Sequence, residues 1–235
     1  MTSRTLIYDL LCIFFHITSQ CREIRFSNIV EKCIKKTEAK PVERKFEKES
    51  HLPVQNYIEE HLSVAQKQFL LGYKEDISAP LLSLEDEIAS QMVLEAIMGK
   101  SSPLFKRLLD EELIDMGFGS EMFNGFGFSC VMIGGTSSDP QKTADIIKTE
   151  IKRMQKEGID SVAFERAKRK FYGRYVMCYN DIDDIANMLM NLYFNGYEPF
   201  AELEACKSIT LEKAQERLNA LNDKASALSV ISPIS

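Results

Sequence analysis

The segment Ser101–Gly135, SSPLFKRLLDEELIDMGFGSEMFNGFGFSCVMIGG, decides the fold, because it predicts a short helix that runs directly into a β-hairpin. Ser102 is placed to cap the helix by accepting a hydrogen bond from a free backbone N–H group. Pro103 fits the first helical position, where no N–H is needed. Apolar residues then follow at helical spacing: Leu104, Phe105, Leu108 and Leu109.

The hairpin is predicted from Asn124-Gly125, which lies between Phe123 and Phe126. Both turn residues tolerate the positive φ that a type I′ turn requires. A two-residue turn at this position also fixes the register of the two strands. It pairs Gly119 with Cys130, Phe118 with Val131, Gly117 with Met132 and Met116 with Ile133. Both faces of this hairpin are largely apolar, so we expect it inside a covered sheet.

Three glycines of the hairpin admit two interpretations. Gly117, Gly119 and Gly127 allow a helix or a neighbouring backbone to pack closely against the strands. Alternatively, they leave space on the strands for an extended peptide. Both interpretations are open at the level of the sequence.

The remainder of the chain mixes strands and helices. Strands are expected at Val54–Val64, Gln68–Lys74 and Ala227–Ile231. Helices are expected over Pro80–Met98, from Asp139-Pro140 to Gly158, from Asp160 or Ser161 to Tyr179, from beyond Asn180–Asp184 to Gly196, and after Thr210. This mixture predicts an α+β fold, in which helices pack on one face of a mixed, partly antiparallel sheet.

The first 40 residues are predicted to form an atypical N-terminal strand and helix region, followed by one domain over residues 41–235. Leu6–Ile17 is apolar, but Asp9 interrupts it and no small-x-small cleavage site follows. A buried strand or helix is therefore expected there rather than a signal peptide. Phe26–Lys36 is a helix candidate capped by Ser27, and the polar residues 37–50 have the composition of a linker.

Two motifs carry a family resemblance. The run GKSSPLF…L…EELID…F…GFGFSCVMIGG is followed by a long predicted helix and then by FERAKRKFYGRY…D…IANMLMNLYFNG. Together they resemble the insulinase-like (pitrilysin and mitochondrial-processing-peptidase) family of zinc metallopeptidases, and more narrowly the non-catalytic second half of its bacterial two-half members. The resemblance extends over residues 41–234. That second half normally begins with an apolar strand ending in a Gly-Asp turn, which residues 1–25 lack.

The resemblance implies that this chain is the non-catalytic half of a zinc peptidase. Two similar halves in this family face each other across a chamber that holds an extended peptide substrate. This chain would form one wall of the chamber, while the zinc ion, the nucleophilic water and the general base would come from a zinc-bearing half. That half would belong to the same polypeptide or to a separate subunit, and the isolated chain could instead self-associate into a homo-oligomer.

The zinc motif of the family is not found in this sequence. H-x-x-E-H supplies two imidazoles one helical turn apart and a glutamate as general base. The histidines are His16, His51 and His61, and none lies in this motif. The nearest match, Tyr57-Ile58-Glu59-Glu60-His61, has a tyrosine in place of the first histidine and lies in a predicted strand. We therefore expect no metal ligand, no cofactor and no autonomous peptidase activity in this chain.

The resemblance further implies an arginine and a tyrosine that bind the carbonyl region of the substrate, in the segment matching Phe105–Phe118. Because this chain is one residue shorter there, the two positions correspond to Leu109 and Asp115. Arg107 is close in sequence but out of register. We expect this auxiliary pair to be missing.

Five basic residues crowd one predicted helix in an otherwise acidic protein: Arg166, Lys168, Arg169, Lys170 and Arg174. They form either a solvated helix face or a surface that binds an acidic substrate or partner. The candidate substrate or partner surface consists of part of this cluster and of the hairpin: Gly117, Phe118, Gly119, Arg166, Arg169, Lys170 and Arg174.

Composition narrows the class of protein. A net charge of −6 argues against a nucleic-acid binder. No apolar run approaches the roughly 20 residues that span a membrane. The six cysteines form no C-x-x-C pair and suggest no disulfide framework, so we expect reduced thiols in a cytoplasmic protein. The resemblance to bacterial two-half members implies a bacterial source.

Two other functions are compatible with the sequence. The first is a stand-alone binding or assembly protein that retains the peptidase fold without peptidolysis. The second is an enzyme with Cys130 or Cys178 as nucleophile, although no histidine lies near either residue in sequence.

Overall fold

The computed structural model describes Ser50, residues 52–77 and residues 81–234. The predictions for residues 1–40, including the helix at Phe26–Lys36, the apolar stretch Leu6–Ile17 and the domain boundary, lie outside these residues. The chain divides into two compact units. Of the described residues, the larger unit comprises Ser50, residues 52–77, 81–172 and 204–234, and the smaller unit comprises residues 173–203.

The larger unit contains a mixed sheet. In the described part of the chain its strands are β1 (Tyr57–Leu62), β2 (Gln68–Lys74), β3 (Gly119–Gly125), β4 (Phe128–Thr136) and β5 (Ser226–Pro233). Their order is β1-β5-β2-β4-β3. β1 and β5 run parallel, and the other neighbouring pairs are antiparallel. The prediction of a mixed, partly antiparallel sheet is therefore confirmed.

The described helices are α1 (Leu84–Met98), α2 (Pro103–Asp110), α3 (Pro140–Glu157), α4 (Ser161–Cys178), α5 (Ile182–Phe194), α6 (Ala201–Ser208) and α7 (Leu211–Asn219). Only α6 has no counterpart among the predicted helices. Its buried positions hold Glu202 and Cys206 instead of large apolar residues, so no apolar repeat marks it in the sequence.

One face of the sheet is buried against helices. Alternate side chains of the three central strands are at most 4% exposed: Phe69, Leu71, Tyr73, Val131, Ile133, Leu228 and Val230. This alternation follows from the two-residue period of a strand. α1 packs against β3 and α7, and α3 packs against β2. The predicted placement of helices on one face is confirmed.

The helix ends follow the local chemistry of the sequence. Ser102, Asp139 and Thr210 each accept a hydrogen bond from the backbone N–H three residues later, at 3.1–3.2 Å. Gly158 ends α3 at a φ of +95°. Gly99 ends α1 differently, at a φ of −60°. A Cβ at Gly99 would clash with the carbonyl oxygen of Glu95, so close approach rather than positive φ requires this glycine.

The turn predicted at Asn124-Gly125 is wrong. Gly125 pairs with Phe128, so the turn is formed by Phe126 and Gly127, of which only Gly127 has a positive φ, +86°. Gly119 consequently pairs with Gly134 and not with Cys130. The register shifts by an even number of residues, so the side chains of β3 stay on the same faces of the sheet, relative to β4, as in the predicted register.

The side chain of Asn124 explains the observed register. It lies opposite Ser129 in the ladder, and its Oδ1 accepts a hydrogen bond from the Ser129 hydroxyl at 2.9 Å. Ser129 Oγ also lies 2.8 Å from Glu75 Oε2, so the strand pair is tied to a buried carboxylate. Asn124 therefore forms a cross-strand hydrogen bond and is not part of the turn.

β3 also begins later than predicted. Met116 and Gly117 lie in a turn before the strand, and the Gly117 N–H donates to Asp115 Oδ1 at 2.7 Å. Phe118 likewise precedes β3, which starts at Gly119. The predicted cross-strand pairs of these three residues are therefore wrong.

Candidate functional site

The face of the sheet opposite the helices carries a candidate interaction surface. The register places four large apolar side chains on this open face, each 44–56% exposed: Ile58, Leu62, Leu70 and Phe123. Between them lie small residues of the central strands, including Gly72, Gly134 and Ala227. Apolar area exposed on one face in this way is typical of a surface that contacts a partner or an extended ligand.

A buried ion pair lies at the end of β2. Arg217 of α7 donates to both carboxylate oxygens of Glu75, at 2.7 and 2.6 Å, and to Ser90 Oγ of α1 at 2.8 Å. Ser129 Oγ lies 2.8 Å from the same carboxylate. The network joins β2 and β4 to two helices, and therefore fixes the position of the sheet on its helical layer.

A cleft of about 690 Å³ opens beside the turn that precedes β3, lined by three connecting segments and by single residues of α2, β4 and β5. Leu109 and Asp115, the positions implied for the substrate-binding arginine and tyrosine, both line it. Asp115 accepts hydrogen bonds from the Thr136 hydroxyl and from the Gly117 N–H, and these bonds lower the pKa of its carboxyl group. The carboxylate is therefore charged at neutral pH.

Neither side chain can perform the role implied by the resemblance. A leucine and a carboxylate have no N–H or O–H group to donate to a substrate carbonyl at neutral pH. Arg107 lies outside this cleft and pairs with Glu111 at 2.9 Å.

The segment nearest to a zinc motif is strand β1. Tyr57, in the position of the first histidine, donates from its hydroxyl to Glu59 Oε2 at 2.6 Å. His61 Nδ1 lies 3.3 Å from the carbonyl oxygen of Pro233. Among the described residues, no group of three His, Cys, Asp or Glu side chains is arranged to hold a metal ion.

The comparison with known families agrees with this geometry. A family model described as the peptidase M16 inactive domain matches residues 22–171. The chain belongs to this family. The resemblance to insulinase-like zinc peptidases, and to their non-catalytic half, is thereby confirmed.

Three relatives of this M16 inactive domain are about twice its length. The uncharacterized zinc protease YmfH of Bacillus subtilis is 28% identical over 184 residues, which cover 77% of this chain and 41% of YmfH. A crystal structure described as an M16-like peptidase from Alicyclobacillus acidocaldarius is 27% identical, with a TM-score of 0.79, and the match covers 89% of this chain and 52% of that one. A protease structure from Helicobacter pylori shares the fold at 15% identity, with a TM-score of 0.74 and coverage of 92% and 53%.

The three hairpin residues of this M16 inactive domain that were predicted to form a binding surface lie in different environments. Phe118 is 3% exposed, and its ring packs between those of Phe69 and Phe105, so it belongs to the core. Gly117 lies in the turn bonded to Asp115. Gly119 is exposed, and the space that a Cβ would fill there is open.

The residues of the predicted basic cluster also lie in different environments. Lys168 Nζ donates to the carbonyl oxygens of Lys207 and Ile209, at 2.8 and 2.6 Å. Lys170 forms an ion pair with Glu95 at 2.7 Å. Arg166 and Arg169 are exposed on α4, and Arg174 is exposed in the smaller unit.

No pattern in the sequence indicates the Arg217–Glu75 network, which joins residues 142 positions apart. The free thiol of Cys130 is half-buried, and burial raises its pKa, which disfavours the nucleophilic thiolate.

No helix in the described part of this domain is long and apolar enough to cross a membrane.

Proposed function

We propose that this chain is the non-catalytic half of an M16 zinc peptidase, that it pairs with a zinc-bearing half, and that its open face forms part of the wall of a peptide-binding chamber. The observation that carries the proposal is the open face itself. It presents Phe123, Leu70 and Ile58 to solvent on one side of a sheet whose other side is filled by helices.

The length of the relatives also supports the pairing. The chain spans 41% of YmfH and 52% of the Alicyclobacillus structure, which leaves room in such relatives for a second half of similar size. The zinc ion, water and general base are assigned to that second half. Since the described cysteines Cys130, Cys178 and Cys206 are free, we also place the chain in a reducing compartment, the bacterial cytoplasm.

Reconstitution tests the proposal. The chain is mixed with the zinc-bearing half of a related two-half peptidase, and association is followed by light scattering. Hydrolysis of a quenched peptide is measured for each half alone and for the mixture, with and without a chelator. We expect the mixture to associate and to hydrolyse the peptide faster than the zinc-bearing half alone, and the chelator to abolish the rate. A chain that never associates but binds peptide by itself would favour a stand-alone binding protein.

A further inference from the structure

The smaller unit contains a buried carboxylate in which one oxygen has no partner among the described residues. Glu202 is 8% exposed, and among the described residues its Oε2 has no hydrogen-bond partner. The hydroxyl of Tyr179 is buried and unpartnered in the same way. Burial and then the Glu202 carboxylate raise the pKa of Tyr179, so the two groups are close enough to interact. Buried polar atoms of this kind are costly and call for a bonding partner.

Phe200 adds a second unusual feature at the same place. Its φ is +69°, a conformation that bulky residues rarely adopt. Its ring stacks on that of Tyr179 with centroids 5.1 Å apart and an interplanar angle of 27°, yet 52% of the residue is exposed. Strained backbone conformations of this kind cluster at active sites and ligand clamps.

The chemistry of these groups selects a cation with several N–H donors. An ammonium or guanidinium group can donate to the Glu202 carboxylate and to the Tyr179 hydroxyl oxygen, neutralise the carboxylate and contact the exposed Phe200 ring. A water molecule would supply hydrogen bonds without compensating charge. A metal ion would lack ligands, since the described residues offer no group of three suitable side chains.

We propose that Glu202, Tyr179 and Phe200 form a binding site for a lysine or arginine side chain of a partner polypeptide. The same unit exposes Met177 and Phe194 by 69% and 62%, which provides apolar area for a polypeptide rather than for a free cation alone. The identity of the partner rests on the proposed function, according to which it is the zinc-bearing half.

A pair of isosteric probes tests the site on the complete chain. N-acetyl-arginine amide carries the guanidinium group, and N-acetyl-citrulline amide is its neutral analogue. Each is titrated into the protein while the NMR signals of Glu202 and Tyr179 are followed. We expect the arginine amide to shift both signals and to bind at least tenfold more tightly than the citrulline amide.

Substitutions locate the binding. Glu202→Gln should weaken binding of the arginine amide at least tenfold, and Tyr179→Phe should weaken it less. Glu204→Gln is the matched control, because Glu204 lies on the same helix, is 74% exposed and pairs with Lys207 at 3.0 Å. It should leave binding unchanged. Equal binding of the two probes, binding of neither, or an equal loss in the control would overturn the site.

The comparison of the two probes on the unaltered chain decides whether the site binds a guanidinium group, even if a variant fails to fold. Association with the zinc-bearing half is measured separately. Association that Glu202→Gln does not weaken would overturn the assignment of the partner and leave the proposed function standing. Arginine binding in the absence of any association would support the site and count against the proposed function.

Discussion

Arg217 and Glu75 form an ion pair in which Nη2 lies 2.7 and 2.6 Å from the two carboxylate oxygens. Their side chains are 13% and 3% exposed. A buried charge deprived of its partner is far more destabilising than an exposed one, because no water replaces the lost interaction. The stability of the sheet on its helices therefore depends on both residues being present.

Arg217→Met should lower the free energy of unfolding by about 3–5 kcal/mol, since it leaves the Glu75 carboxylate buried and unpaired. Adding Glu75→Gln should recover part of this loss, because the amide carries no charge. Arg107→Met is the matched control: Arg107 is 60% exposed in its pair with Glu111, and removing it should cost less than about 1 kcal/mol. Urea unfolding measures all of these variants, and equal losses for the two arginines would contradict the prediction.

We expect the hairpin turn to require a glycine at position 127. Its φ of +86° disfavours a side chain, so Gly127→Ala should destabilise the protein by about 1–2 kcal/mol. Gly127→Asn should cost less, because asparagine tolerates positive φ. Denaturant midpoints test this order. A turn at Asn124-Gly125 would instead make Gly127→Ala nearly neutral.

The hairpin shows what the sequence can and cannot predict. Helix ends depend on side chains within a few residues, so Ser102, Asp139 and Thr210 were identified correctly. The turn depends on a contact with a distant element: Asn124 bonds Ser129, which bonds Glu75. Local turn preference favoured Asn124-Gly125, and this tertiary network outweighed it.

The candidate site was predictable to a similar extent. Motifs in the sequence indicated the family, because they mark helices and strands in a fixed order. The sequence does not indicate which residues of the predicted surface are exposed, because the burial of Phe118 depends on two aromatic rings from other elements. The charged side chain of Lys168 is likewise engaged by carbonyl groups about 40 positions away, which no local pattern encodes.

The purified chain should bind no stoichiometric zinc. His61 lies on a strand with its ring against the Pro233 carbonyl group, and Tyr57 stands where an H-x-x-E-H motif would have its first histidine and donates to Glu59. Metal analysis after exhaustive dialysis should give far less than one zinc ion per chain, and His61→Ala should not change the value. One zinc ion per chain, lost on His61→Ala, would contradict this expectation.

Association with a zinc-bearing half should depend on the open face. A stable interface of this kind buries on the order of 1,000 Å² or more, and a few large apolar or aromatic side chains dominate its affinity. Phe123 is the most exposed large apolar residue of that face, at 56%. Phe123→Ser should therefore weaken association roughly tenfold, which corresponds to about 1.4 kcal/mol. Light scattering and sedimentation at several concentrations measure the effect.

Val162→Ser provides the control for this last variant. Val162 is 64% exposed but lies on α4, not on the open face, so the substitution removes a similar apolar contact from a different surface. Its effect on association should be small. If both substitutions weaken association equally, general surface hydrophobicity drives the contact. If neither does, and the chain stays monomeric at high concentration, the open face is not the surface that meets the second half, and a stand-alone binding role becomes the better account of the exposed sheet.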